Sequence, residues 1–231
     1  TLLTLLFGTF LLSGCVGQHT DVNIQADGTT DVTQIILLSE EVTKQAKEDG
    51  EDIQGLLTEE FNKEANEQMT IEPIEVEGQA GIELTQTFDS IESAFQSEFF
   101  VTETTSPKSD KVWTINEDHT TFAQFVSIQG SVDFYKWFAG ELEMNEEEID
   151  LMSSVAENVK LSYSITTPTK AKHHNADEVD GRTHTWLVES GETKEFILEY
   201  HTLKTKPVLY AVGLLIVLLV AIGIIVRQLR K

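Results

Sequence analysis

The sequence predicts an α+β domain: a largely antiparallel β-sheet with two or three packed helices, plus one C-terminal transmembrane helix. Three observations carry this expectation. Short runs with alternating apolar residues recur in pairs, the pattern of half-buried strands joined as hairpins. A few helical stripes are inserted among them, an order that suits α+β rather than regular βαβ repeats. Val208 to Val226 reads VLYAVGLLIVLLVAIGIIV, free of charge. With Pro207 it is long enough, at about 1.5 Å per residue, to cross roughly 30 Å of hydrocarbon.

The domain is read from Asp21 to His201. Asp21–Gln25 alternates, Asp27-Gly28 marks a turn, and Thr33–Leu38 is strand-like; an Asp-Gly between two such runs signals a hairpin. Ser39 with Glu40 and Glu41 behind it starts a helix, and Gly50 ends it. Ile53, Leu56, Leu57 and Phe61 fall on one helical face, a stripe for packing on a sheet. Ile71–Val76 and Gly81–Phe88 read as strands, with Pro73 pointing to an edge or a bulge. Asp89-Ser90 caps a short helix whose apolar face is Ile91, Phe95 and Phe99.

Val112–Ile115 and Thr121–Ile128 form a further strand pair. Phe134, Tyr135, Trp137 and Phe138 lie within five residues; aromatics this dense fill a core, line an apolar pocket or sit at a membrane interface. Glu141–Asp150 is a solvated acidic segment. Glu157–Thr167 alternates through Val159, Leu161, Tyr163 and Ile165, so one face is buried. Residues 171–180 read as a polar loop. Arg182–Val188 and Glu195–His201 read as a closing hairpin around Ser190-Gly191. The total is about eight strands.

The two ends address the chain. Leu2–Leu12 is too short an apolar run to span a bilayer and suits a signal-peptide core. It leads into Leu12-Ser13-Gly14-Cys15, which resembles the lipobox of bacterial lipoprotein signals; that resemblance implies lipidation of Cys15 and cleavage before it. Cys15 is the only cysteine, so no internal disulfide forms. The chain opens at Thr1 with neither Met nor a basic n-region, which places the true start upstream. Residues 1–14 are then a lipoprotein signal peptide and 15–20 a lipidated tether. Residues 21–201 are an extracytoplasmic domain, 202–206 a short tether, 207–226 the transmembrane helix and 227–231 a cytoplasmic tail. The cations after the apolar stretch, Arg227, Arg230 and Lys231, agree with a cytoplasmic C-terminus. The expected location is the bacterial cell membrane, with the domain on the extracytoplasmic face.

Charge narrows the partners. The chain carries a formal −23. Without the three C-terminal cations, 13 basic residues face 39 acidic ones. Such a surface repels nucleic acid phosphates and anionic headgroups, so no nucleic acid partner is expected. His173, His174 and His184 lie near Asp177, Glu178 and Asp180, but this spacing matches no standard zinc or EF-hand pattern and no metal is assigned. No GxSxG, HExxH, P-loop or GxGxxG occurs. Neither a catalytic residue nor a cofactor is expected, and the chain is not read as an enzyme.

The order of parts resembles the LppM-domain family of bacterial membrane lipoproteins. The likeness runs from Cys15 through DVNIQADGTTDV (Asp21–Val32) and SEEVTKQAKEDG (Ser39–Gly50) to GRTHTWLVESGETKEFILEY (Gly181–Tyr200). It implies an α+β domain similar to lipid-binding folds and defines no catalytic residues. The functional expectation is a membrane-anchored lipoprotein with an acidic domain that binds a lipid or other amphiphile. Phe134, Tyr135, Trp137 and Phe138 are the candidate pocket or interface. The alternative is an envelope module that recruits partners without ligand or catalysis.

Overall fold

The computed structural model describes residues 16–64, 66, 68–97, 99–100, 113–121, 123–134 and 159–203, and five positions further on: Val212, Gly213, Leu215, Ile216 and Ile222. Cys15, Tyr135, Trp137 and Phe138 lie outside the described residues, as does most of 207–226.

The N-terminal elements follow local chemistry closely. β1 (Val16–Ile24) and β2 (Thr30–Leu38) form an antiparallel hairpin. In its turn Gly28 takes φ 96°, a conformation that costs glycine little; the Asp27 carboxylate accepts from Thr29 N–H at 3.1 Å. The Ser39 hydroxyl accepts from Val42 N–H at 3.1 Å and caps α1 (Glu40–Asp49), which Gly50 ends in the left-handed conformation. α2 (Ile53–Glu64) buries Ile53 and Leu57 and leaves Leu56 exposed. β3 (Thr70–Val76) and β4 (Gln79–Phe88) pair antiparallel, with Pro73 on an edge strand. The Ser90 hydroxyl accepts from Ser93 N–H and caps α3 (Ile91–Phe95).

The remaining strands are β5 (Trp113–His119), β6 (Ala123–Asp133), β7 (Lys160–Thr166), β8 (His173–His174), β9 (Glu178–Asp180), β10 (Thr183–Val188) and β11 (Thr193–Leu203). They make two sheets. One has seven strands in the order β3-β4-β2-β1-β7-β10-β9, and the other four in the order β5-β6-β11-β8. β1 is the middle strand of the larger sheet and runs parallel to β7.

Register fixes which side chains share a face, because paired residues point the same way. One row reads Leu84, Gln34, Thr20, Tyr163, Trp186 across β4, β2, β1, β7 and β10; the next reads Gln86, Val32, Val22, Ile165, His184. This single face is buried by two different covers. On the β7 side, Val22, Leu161, Ile165 and Trp186 pack against Ile128, Phe196 and Leu198 of the four-stranded sheet. On the β4 side, Val32, Ile82 and Leu84 pack against Ala46 of α1 and Ile53 and Leu57 of α2. Short α3 spans the joint: Ile91 and Phe95 belong to the first cluster and Ala94 to the second.

Several sequence-based expectations are corrected. The fold is mostly β, with a second sheet in place of one antiparallel sheet; alternation shows that a strand buries one face, not what covers it. Against the transmembrane helix expected at 207–226, no helix among the described residues is long and apolar enough to cross a membrane; most of 207–226 lies outside the described residues. The five described positions within that stretch are helical. Val16–Thr20 is part of β1 and Thr202–Leu203 part of β11, so neither is a loose tether. β10 and β11 are not a hairpin: Ser190-Gly191 carries the chain from one sheet to the other. The polar stretch 171–180 contains β8 and β9.

The chain enters and leaves at opposite ends of the domain. β1 starts beside the end of β2, level with the start of β7 and the end of β10. At that end Phe134 N–H also donates to the Glu192 carbonyl. β11 then runs 11 residues, roughly 35 Å, to the other end, where the Thr169 hydroxyl donates to the His201 carbonyl.

Packing between the sheets leaves little tolerance. A Cβ on Gly130 would run into the buried Trp113 ring, which is packed against Phe95 and Phe196 at 4.9 Å and against Phe100 and Tyr163 further out. Gly130→Ala is therefore expected to cost about 1–3 kcal/mol in denaturant unfolding, with a change in tryptophan emission. An unchanged midpoint would show that the ring has room to move.

Candidate functional site

The sequence singled out four aromatics and a histidine group. Phe134 is fully buried in the cluster between the sheets. That interior is filled by ring contacts: Phe95–Trp113 at 4.9 Å, Trp186–Phe196 at 5.3 Å and Tyr163–Phe196 at 5.4 Å. Of the open alternatives for Phe134, core is the one its burial supports.

The histidines meet where the sandwich closes on one side. β8 is the edge of the four-stranded sheet and β9 the edge of the seven-stranded one, so the chain between them crosses from sheet to sheet. Asn175 sits at the crossing. Its Oδ1 accepts from Trp186 Nε1 at 2.8 Å and from Ile197 N–H at 2.8 Å, and its Nδ2 donates to the Glu195 carbonyl at 2.9 Å. One amide side chain thus ties β10 to β11. Asp177 makes a second tie, accepting from Leu187 N–H at 2.8 Å and Lys194 Nζ at 2.9 Å. Burial alone would raise its pKa, but the Leu187 N–H and the Lys194 ammonium hold it below the ordinary value.

His174 and His184 complete the crossing, with ring centroids 4.8 Å apart. His184 is buried and its Nδ1 has no hydrogen-bond partner. Burial first, and the neighbouring His174 second, push its pKa below the usual imidazole value. His173 points the other way along its strand. Among the described residues no group of three or more His, Cys, Asp or Glu is arranged to hold a metal. The chemistry on offer is mechanical closure and proton binding.

A second polar group lies on the outer face of the larger sheet and was not visible in the sequence. His19 Nδ1 and Ser162 Oγ share a hydrogen bond at 2.8 Å. Asp21, two residues along the same face, has its pKa raised chiefly by burial, against the pull of His19, and its Oδ1 has no partner. Carboxylate, imidazole and hydroxyl are therefore near one another without the continuous relay that activates a nucleophile. Ser164–Thr185 and Thr166–Thr183, each at 2.8 Å, extend the same face as cross-strand hydroxyl pairs, a common way to satisfy a polar sheet surface. The only early signal was alternation that put polar residues opposite the buried ones.

No family model and no curated protein matches the sequence. Among solved structures, the folded domain of LppM from Mycobacterium tuberculosis aligns with 84% of this chain and 94% of its own. The identity is 10% and the TM-score 0.46. That protein is of the family whose layout the sequence resembles.

The crossing can be tested at Asn175. Asn175→Ala leaves the Trp186 indole and Ile197 N–H without an acceptor and is expected to cost roughly 2–4 kcal/mol in equilibrium unfolding. Asn175→Asp keeps the acceptor and should lose less than half of that at neutral pH. Equal losses for the two variants would mean that the side chain's bulk, not its acceptor, matters.

Proposed function

We propose that this chain is a lipid-anchored protein of the bacterial envelope, attached through Cys15, whose folded domain stands directly on the outer leaflet. The observation that carries the reading is a junction. The lipobox cysteine is followed at once by Val16, the first residue of the central strand of the larger sheet. A lipid on Cys15 would be wired to the middle of the fold with no flexible spacer. The end of the domain made by the start of β1, the start of β7 and the 189–192 turn would then face the bilayer.

This reading places lipid at the anchor and at the surface beneath it. Phe134 is buried in the core, so the part of the aromatic stretch that is described serves packing. Glu189 and Glu192 stand near the anchored end, and the chain as a whole carries −23. An anionic leaflet would therefore repel the domain except where salt screens it, over about 8–10 Å at physiological ionic strength. The acyl chains supply the binding that charge does not.

The test is chemical. Produced in a bacterial host with its signal, the mature protein should begin at Cys15 and carry a diacylglyceryl mass on that thiol. Cys15→Ser should remain unprocessed and lose all incorporation of labelled palmitate. A mature chain that begins elsewhere, or acyl label retained in Cys15→Ser, would refute the anchor.

A further inference from the structure

The exposed ring of His174 lies against the buried ring of His184, their centroids 4.8 Å apart. They meet where the chain crosses from the β8 edge of one sheet to the β9 edge of the other. We propose that His174 and His184 form a pH-sensitive clasp: neutral rings hold the 171–176 segment closed over the side of the sandwich, and protonation releases it.

The geometry sets up the conflict. His184 lies on the inner face of β10, opposite Ile165 of β7 and Val179 of β9. His174 lies opposite Leu198 and shares that residue's inward face, which brings its ring to 4.8 Å from His184. The groups around the pair offer no compensating charge. Glu178 and Asp180 flank Val179 and so point to the other face of β9, as do His173 on β8 and Glu199 on β11. The next inward position on β11 is Tyr200, whose phenol burial keeps protonated. The Arg182 guanidinium is turned away onto the Pro168 carbonyl at 2.7 Å. Only the carbonyls of Ile165 and Arg182 favour a charged His184, and they are outweighed.

The sign follows. A base whose folded pKa is depressed below its ordinary 6.5 binds its proton more readily when released. The closed form is fully favoured above that pH and loses ground as pH falls below it. A charge on His174 adds like-charge repulsion at short range. Beyond the two-residue pairing of β8 with β11, the segment's backbone is tied by Lys172 N–H to the Glu199 carbonyl and Asn175 N–H to the Ile197 carbonyl. Asp177 keeps its charge, and with it Lys194, throughout this range. Opening therefore stops at the Asp177 tie and leaves both sheets intact.

Hydrogen exchange of the full chain in detergent, corrected for intrinsic rates, tests this between pH 7.5 and 5.0. Protection in 171–176 is expected to fall about tenfold, while β6 and the middle of β11 keep theirs. In His174→Gln, an exposed position, the fall should be at least threefold smaller. The clasp is refuted if protection in 171–176 is unchanged by pH. It is refuted equally if the fall is as large in His174→Gln, or if β6 and β11 lose protection in step. None of these outcomes depends on whether Cys15 carries lipid.

Discussion

A seven-stranded sheet with one apolar face must cover that face, and its width sets the rest of the architecture. A four-stranded sheet shields β1, β7 and β10; α1 and α2 shield β2 and β4. Both covers exist because neither alone spans seven strands at about 4.8 Å spacing. Where they meet, the inward positions turn polar. Gln18 and Thr20 on β1 are buried, and Gln34 on β2 lies in the same row as Thr20. Thr20 Oγ1 finds no partner there, a cost of order 1–3 kcal/mol that the apolar burial on either side offsets. α3 and the rings of Phe95 and Phe100 plug the joint.

Closure on the far side is achieved differently. The larger sheet ends in three-residue β9 and the smaller in two-residue β8. Short edges resist pairing with other chains, but they also hold weakly. The crossing between them relies on side chains: Asn175 for its hydrogen bonds, Asp177 for its ion pair, and His174 with His184 for contact. The rest of the sandwich has long ladders, such as the full-length pairing of β6 with β11.

Much of the chain could be read locally because its signals are local. Asp27-Gly28, the Ser39 and Ser90 caps, Gly50 and Pro73 each act within four residues, and each stands where its chemistry demands. Alternation located β10 and β11 within two residues and β7 within three. It could not say that β10 and β11 belong to different sheets, since an amphipathic strand pairs equally well with any neighbour that continues its apolar face. Nor could it show that β1 lies parallel to β7, a contact closed across more than a hundred residues. The histidines were legible as residue types; only the fold distinguishes His174, which meets His184, from His173 beside it. The His19–Ser162 pair, 143 positions apart, left no trace at all.

The central claim is one of orientation: the end of the domain where β1 begins rests on the lipid surface. Cys15 is the sole cysteine, and once acylated it leaves an introduced thiol unique for a spin label. Labels at Glu189→Cys, beside the start of β1, and Ala26→Cys, in the hairpin turn at the opposite end, can be compared in zwitterionic vesicles by relaxation from a headgroup-chelated paramagnet. The account predicts strong relaxation at 189 and near-bulk behaviour at 26. Equal relaxation at the two sites, or the reverse order, would contradict it.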